Sequence, residues 1–236
     1  FYLNRQEFQD AISLLYNWTV NDFPMKCQCG SNNSIDHALC CKLGGFVHVR
    51  HNIIRDLEAE LLKEVAFDVQ IEPKLLPITD EERFEQSDNT QNQARLDVSC
   101  RGFWGPMQRA FFDVRITHLN APSHRNKSAE SVLKVNEDEK KRAYNSRILE
   151  VEHGTFTPLV FATNGIMSKE CVRFHKILAD KISVKSNHSY TDTINYIRQK
   201  LSYSILKSAI ISLRGNRSSK KTSGTVTIAE TNFNFF

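Results

Sequence analysis

Four of the six cysteines of this 236-residue chain lie within a single stretch of fifteen residues. They are Cys27, Cys29, Cys40 and Cys41, and His37 falls among them. A disulfide framework would spread its cysteines along the chain, whereas such clustering is typical of a metal site. Three thiolates and one imidazole provide the four ligands that zinc binds in a tetrahedron. The spacing therefore predicts a structural zinc knuckle formed by Cys27, Cys29, His37 and Cys41.

The sequence leaves two alternatives to this site open. In the first, the chain binds no zinc and carries incidental thiols in a reducing intracellular compartment. In the second, Cys40 takes the place of Cys41 as the fourth ligand. The knuckle begins with a Cys-x-Cys pair, which is tighter than the common Cys-x2-Cys spacing. In each case the cysteine usage predicts an intracellular protein.

Length and composition exclude several classes of protein. The chain is long enough to bury a sizeable core, and its 40% hydrophobic and 25% charged residues exclude collagen and low-complexity disorder. No apolar stretch approaches the ~20 residues needed to cross a bilayer, so no membrane partner is expected. The net charge of +4 is weak evidence for a nucleic-acid partner. The chain starts at a Phe without a signal pattern, and we expect it to be a fragment of a longer protein.

Hydrophobic periodicity predicts helices that alternate with strands. Helices are expected over 5–18, 51–66, 128–148, 168–183 and 190–213, and strands over 67–71, 94–99, 109–117 and 156–162. This order predicts an α/β fold in which helices flank a small mixed sheet. The expected organisation is an N-terminal helix ending a preceding domain (1–25), the zinc knuckle (26–45), a core domain (46–190), a basic helix (191–214) and a disordered tail (215–236). The acidic stretch 78–93 is expected to be a loop.

Two aspartates lie in predicted neighbouring strands, Asp97 in the first and Asp113 in the second. Alternation places Asp113 and Arg115 on one face, and Asp97 on the face opposite its two apolar neighbours. If the strands pair as a hairpin, both aspartates project from the same face. Carboxylates in apolar strands need partners, and magnesium or manganese binds oxygen ligands of this kind. The sequence therefore predicts a magnesium or manganese site, with structural ion pairs to Arg95 or Arg115 as the alternative.

A nuclease with such a metal also needs a cation that stabilises the charge developing on the phosphate. Arginine stays protonated in proteins and does not act as a base, but the charge of Arg115 suits this role. Lys140 falls in the inward stripe of the helix over 128–148 and is the candidate catalytic lysine; the alternative is a surface lysine whose stem covers apolar side chains. Glu58 borders the apolar stripe of the helix over 51–66. It is a candidate third magnesium ligand, with a solvated acid as the alternative.

Two segments are candidates for contacts with nucleic acid. Arg50 and His51 lie where a helix begins, and the free backbone N–H groups there attract phosphate. The stretch 195–221 contains seven basic residues and no acid, and such a stretch can replace the counterions of a phosphate backbone. Its candidate contacts are Arg198, Lys200, Lys207 and Arg214. The alternative is a packing helix whose basic face is merely solvated.

Taken in order, these motifs resemble a known family. The chain is similar to the restriction-like endonuclease region at the C-terminal end of site-specific non-LTR retrotransposon polyproteins. The resemblance spans roughly residues 26–165 and is carried by the Cys/His knuckle, Arg50-His51-Asn52, Asp97, Asp113-Val114-Arg115, and Lys140 with Tyr144. Leu96 stands where that family has a proline before the first aspartate.

The resemblance implies a PD-(D/E)xK-type core that uses magnesium to nick target DNA for target-primed reverse transcription. It also implies a reverse transcriptase domain upstream in the same polyprotein, element RNA as a further partner, and action in the nucleus. The sequence thus predicts a magnesium-dependent DNA endonuclease with a structural zinc ion. Two alternatives stay open. One is a non-catalytic zinc-knuckle module that binds nucleic acid, and the other is an inactive relic, since Arg115 occupies the family's lysine position.

Overall fold

The fold is described from a computed structural model that covers residues 2–78, 89–91 and 93–215. Most of the predicted acidic loop, residues 79–88 and 92, lies outside the described residues. The predicted tail after residue 215 lies outside them as well.

Six α-helices and four strands form the described part of the chain. They are α1 (Arg5–Leu15), α2 (Ile35–Cys40), α3 (Phe46–Lys63), β1 (Phe67–Ile71), β2 (Val98–Arg101), β3 (Arg109–Thr117), α4 (Ala129–Glu150), β4 (Thr155–Ala162), α5 (Lys169–Ser186) and α6 (Tyr190–Arg214). Five of the helices begin after an Asn or Ser whose side chain accepts a hydrogen bond from a backbone N–H of the first turn, which stabilises the helix start. These residues are Asn4, Ser34, Ser128, Ser168 and Ser189.

The four strands form one mixed sheet in the order β1-β2-β3-β4. β1 and β3 both run antiparallel to β2, whereas β4 runs parallel to β3. The predicted hairpin of β2 and β3 is therefore confirmed. A parallel neighbour requires a crossover connection, and α4 provides it between β3 and β4. The predicted α/β class with a small mixed sheet flanked by helices is confirmed.

Helices cover both faces of the sheet. Phe112 and Val114 of β3 belong to a large core cluster with residues of α3, α5 and α6. Phe111 of the same strand belongs to a smaller cluster with Ile148 of α4. Since side chains alternate along a strand, Asp113 shares the α4-facing side with Phe111. This alternation directs Asp113 and Arg115 towards α4.

The approach to β2 departs from the expected alternation. A strand was predicted over 94–99, but β2 begins at Val98. Leu96 packs in the cluster on the α4 side, whereas Val98 packs in the large core cluster. The prediction that these two side chains share one face is therefore wrong. The chain bends at Asp97, and its carboxylate consequently meets α3 instead of projecting from a regular strand.

The long helix α6 is part of the main core. Its apolar stripe, Ile194, Ile197, Leu201 and Ile205, lies in the same cluster as the buried residues of α3 and α5. α1 and α2 in turn pack against α6. The segment predicted as a separate basic helix is thus packed against the predicted core domain. Among the described residues, no helix combines the length and apolar character that a membrane span needs.

Candidate functional site

The four predicted zinc ligands come together before α3. One ligand atom each from Cys27, Cys29, His37 and Cys41 lies within 4.8 Å of all the others. Two sulfur atoms bound to one zinc ion at ~2.3 Å in a tetrahedron lie ~3.8 Å apart. The Sγ atoms of Cys27 and Cys41 are 3.8 Å apart, and Cys29 Sγ lies 3.3 Å from His37 Nε2. This group can hold a metal such as zinc.

The thiols differ in how readily they ionise. Hydrogen bonds from Ser31 lower the pKa of Cys29 to about 6, which favours the thiolate that a metal binds. Burial raises the pKa of Cys41, which a bound cation would counteract. Cys40 lies outside the group of four, and burial raises its pKa. The geometry therefore favours Cys41 over Cys40 as the fourth ligand.

Arg50 of α3 connects the core to α2, which carries the ligand His37. Its side chain is only 2% exposed, and Nη1 donates a hydrogen bond of 3.1 Å to the carbonyl of Leu39 in α2. This placement does not favour the predicted contact between Arg50 and nucleic acid. A second link joins Asp36, next to the ligand His37, to His118 at the end of β3, with 2.8 Å between Oδ1 and Nε2.

A second group of ionisable side chains surrounds Asp97 and Asp113. Asp97 Oδ1 lies 2.9 Å from Nε2 of His51 on α3, and its Oδ2 accepts a hydrogen bond of 2.6 Å from the backbone N–H of Val114. Asp113 Oδ2 lies 2.8 Å from Nζ of Lys140 on α4. Because Val114 follows Asp113, its N–H holds the Asp97 carboxylate beside the second aspartate. We call these four residues, His51, Asp97, Asp113 and Lys140, the aspartate centre.

Three side chains of the aspartate centre have a raised pKa. Asp113 is only 5% exposed; burial, helped by the negative charge of Asp97 and opposed by Lys140, raises its pKa to about 6. Burial disfavours the charged form of Lys140, but the Asp113 carboxylate outweighs it and raises the pKa of Lys140. For His51, burial is likewise outweighed by Asp97 and Asp113, and its pKa is raised. The negative charges of Asp97 and Asp113 would therefore stabilise a further positive charge at this centre.

Two of the predicted catalytic or metal-binding residues have other partners. Arg115 lies 3.0 Å from Glu139 of α4, measured between Nη1 and Oε2. Glu58 is fully buried two turns beyond His51 on α3, and its Oε1 lies 2.8 Å from His175 Nε2 of α5. Seven residues of helix correspond to ~10 Å along its axis. The placement of Glu58 therefore does not favour the predicted role as third magnesium ligand.

The basic residues of α6 face acids. Lys200 Nζ lies 3.6 Å from Glu60 Oε2, and Lys207 Nζ lies 2.6 Å from Glu7 Oε2. Arg214 forms an ion pair with the buried Asp10 of α1 at 2.5 Å. The sequence stretch 195–221 contains no acidic residue of its own, but α1 and α3 place acidic side chains beside these three basic residues. This placement favours the packing-helix alternative; Arg198 is exposed and keeps its predicted role as a nucleic-acid contact.

Sequence patterns did not reveal two features of these sites. His51 was predicted to contact nucleic acid, but its partner is Asp97, forty-six positions away in sequence.

Arg147 is fully buried and donates hydrogen bonds to the carbonyls of Leu76, Asn89 and Gln91, which places both flanks of the segment 79–88 against α4. No sequence pattern singles Arg147 out, because the buried residues of α4 also include the polar Asn136 and Glu137.

In comparisons with known proteins, no family model matches the sequence, and no curated protein is significantly similar to it.

Proposed function

We propose that this chain is a divalent-metal-dependent DNA endonuclease with a PD-(D/E)xK-type core. The observation that carries the proposal is the aspartate centre, in which two carboxylates from adjacent segments meet a lysine and a histidine. The sheet also supports it, since β1, β2 and β3 are antiparallel neighbours and β4 joins parallel to β3 after the helix α4. The Cys/His group would then be a structural zinc site in front of the nuclease core.

The donor set of the aspartate centre fits magnesium or manganese. Carboxylate oxygens are the ligands that these hard cations prefer. A cation held by Asp97 and Asp113 would offset the burial and mutual repulsion that raise the pKa of Asp113. When bound, such an ion supplies Lewis-acid polarisation of a phosphoryl oxygen and a lower pKa of its coordinated water.

The protein side chains of the centre have separate tasks in this proposal. Lys140 carries a positive charge at Asp113 that can stabilise the negative charge developing on the cleaved phosphate. His51 and the N–H of Val114 hold the two oxygens of Asp97 in a fixed orientation, which is a positioning role. The charge of Arg115 is partly offset by Glu139, so Lys140 is the better candidate for the catalytic cation.

The proposed substrate is target DNA, nicked for target-primed reverse transcription by a polymerase domain in the same polyprotein. This part rests on the resemblance of the ordered motifs, with element RNA and a nuclear setting as its further consequences. The aspartate centre supports phosphodiester hydrolysis as the reaction, and the resemblance supplies the choice of DNA.

One specific observation favours a second function, a non-catalytic module that binds nucleic acid through a zinc knuckle. The Cys/His group is complete without any residue of the aspartate centre. If the chain is an inactive copy, the knuckle would still fold and bind. The two functions differ in one measurable respect, which is the hydrolysis of a phosphodiester bond.

Nicking of supercoiled plasmid tests the proposal. We expect open-circular product with magnesium or manganese and none with calcium, a comparison that leaves the zinc site intact. Asp97→Asn and Asp113→Asn should each abolish nicking. Asp68→Asn is the matched control, because Asp68 is exposed on β1 with φ 48°, a conformation that Asn adopts readily. Nicking retained in both aspartate variants, or plasmid binding without nicking by the wild type, would contradict the endonuclease and favour the binding module.

A further inference from the structure

A small cavity lies beside the aspartate centre, between the end of β3, the loop over 118–128 and the first half of α4. Its volume is ≈ 160 Å³, and its polar lining consists of Arg115, Ser123, His124, Lys127, Asn136 and Glu139. We call it the Arg115 cavity. It is large enough for a phosphate group with its hydrating water.

The charge of the Arg115 cavity is predominantly positive. Arg115 and Lys127 carry permanent charges, and the carboxylate of Glu139 lies against Arg115. The guanidinium has five N–H donors in a fork, so an ion pair with one carboxylate leaves others for a second acceptor. Lys127 is exposed and has no acidic group within 4 Å among the described residues. The cavity therefore attracts an anion.

Asn136 provides an independent indication that the cavity receives a polar ligand. It is only 3% exposed, and its Nδ2 donates a hydrogen bond of 2.7 Å to the carbonyl of Val132. Its Oδ1 is buried and has no partner among the residues that the structure describes. Buried acceptors are nearly always satisfied, so an occupant that donates a hydrogen bond would complete this one. A hydrated phosphate supplies such a donor through its water.

The position of the cavity relates it to the proposed reaction. Asp113 and Arg115 lie two residues apart on the same face of β3, which corresponds to ~7 Å along the strand. Successive phosphates of one nucleic-acid strand have a comparable separation. A strand whose cleaved phosphate lies at Asp113 can therefore place the neighbouring phosphate at Arg115.

We propose that the Arg115 cavity binds the phosphate that flanks the scissile phosphate of a nucleic-acid strand. The proposal rests on the proposed endonuclease function for its choice of ligand. Arg115 and Lys127 provide the positive charge, and Asn136 accepts a hydrogen bond from the water that hydrates the phosphate. The site orders the strand on the enzyme and does not take part in bond cleavage.

Equilibrium binding without added divalent metal tests the cavity directly. The probe is a fluorescein-labelled 16-base-pair duplex, with anisotropy measured from 50 to 200 mM salt. Lys127→Gln should weaken binding roughly three- to tenfold and reduce the slope of log K against log salt by about 1, as expected for one lost phosphate contact. Lys134→Gln is the matched control, because Lys134 lies on α4 outside the cavity and pairs with Asp138. Equal affinity and slope in the two variants would overturn the proposal.

A second measurement tests whether the anion binds next to Asn136. Inorganic phosphate, titrated into ¹⁵N-labelled protein, should shift the side-chain amide resonances of Asn136 saturably in the wild type and more weakly in Lys127→Gln. An unperturbed Asn136 amide would contradict the site.

Nicking kinetics distinguish a failure of the cavity proposal from a failure of the proposed endonuclease function. Lys127→Gln should raise the KM of plasmid nicking and leave kcat within twofold, whereas an unchanged KM would contradict the cavity alone. Absence of nicking by the wild type, with the anisotropy and phosphate results as expected, would contradict the endonuclease and leave an anion site.

Discussion

The Cys/His group and the aspartate centre are both candidate metal sites, but they differ in what holds them together. The four ligand atoms of the Cys/His group all lie within 4.8 Å of one another, and Cys27 contacts Cys41 while Cys29 contacts His37. In the aspartate centre, each carboxylate already has a cation or donor from another element, Asp97 from His51 and Val114 and Asp113 from Lys140. We therefore expect a bound metal to contribute most of the stability of the first site, whereas protein side chains and a backbone N–H already hold the carboxylates of the second in place.

Removal of the zinc ligands should produce the largest effect. In Cys41→Ser we expect loss of about one zinc ion per chain and a large drop in stability, because binding to three thiolates and an imidazole contributes on the order of 10 kcal/mol in isolated zinc peptides. Elemental analysis and thermal unfolding measure both. Cys40→Ser is the matched control, since Cys40 lies outside the group of four. Equal zinc content in the two variants would contradict the ligand set.

The Glu58–His175 pair contains a buried carboxylate that we expect to be structural, unlike the carboxylates of the aspartate centre. Glu58→Gln should destabilise the fold by about 3–5 kcal/mol, since it leaves a buried His175 without its counter-charge. Urea unfolding measures this, with the exposed Glu60→Gln as control. The magnesium concentration for half-maximal nicking should not change. A normally stable Glu58→Gln protein that requires more magnesium would instead place Glu58 among the metal ligands.

Replacement of Lys140 tests whether the aspartate centre is catalytic as well as organised. Lys140→Met should lower kcat of nicking by about 10²–10³, the usual loss when a group that stabilises transition-state charge is removed. Single-turnover kinetics at saturating DNA measure it. The neighbouring Lys141→Met should leave kcat unchanged, because Lys141 pairs with Glu170 away from the aspartates. Equal rates for the two variants would make Lys140 a structural partner of Asp113.

The smallest expected effect is a pH dependence of stability that arises from Asp113 in the aspartate centre. The pKa of Asp113 is about 6 in the folded chain, against ~3.9 in an unfolded one. Between these values the folded state binds more protons, so the free energy of unfolding should decrease as pH rises from about 4 to 6. Below pH 4 this penalty vanishes, and above pH 6 it is complete.

Urea unfolding of the wild type and Asp113→Asn, measured at intervals from pH 4 to 7, isolates this dependence as a difference between the two curves. Asp68→Asn should keep the wild-type slope. A difference that does not vary with pH would show that Asp113 titrates normally.

Much of the fold was predictable because its determinants are local. Strand β1 was predicted at its observed bounds, and α4, β4, α5 and α6 within three residues of theirs. Periodicity identifies such elements because each buries one face. The bend at Asp97 was not predictable, since alternation assumes a regular strand and Leu96 and Val98 pack into different clusters. Likewise, the acids that offset the basic residues of α6 lie on α1 and α3, far away in sequence.

The sequence alone was enough to identify a Cys/His group that can hold a metal and to single out the two aspartates and the lysine as candidates. The four ligands lie within fifteen residues, so their short separation in sequence already limits how far apart they can lie in the fold. The partners of the other charges depend on how distant elements pack: His51 with Asp97, Lys140 with Asp113, Arg50 with α2 and Glu58 with His175. The physical reason is that a buried charge takes whichever counter-charge or donor the packing of distant elements brings within hydrogen-bond distance, and sequence patterns carry no record of that packing.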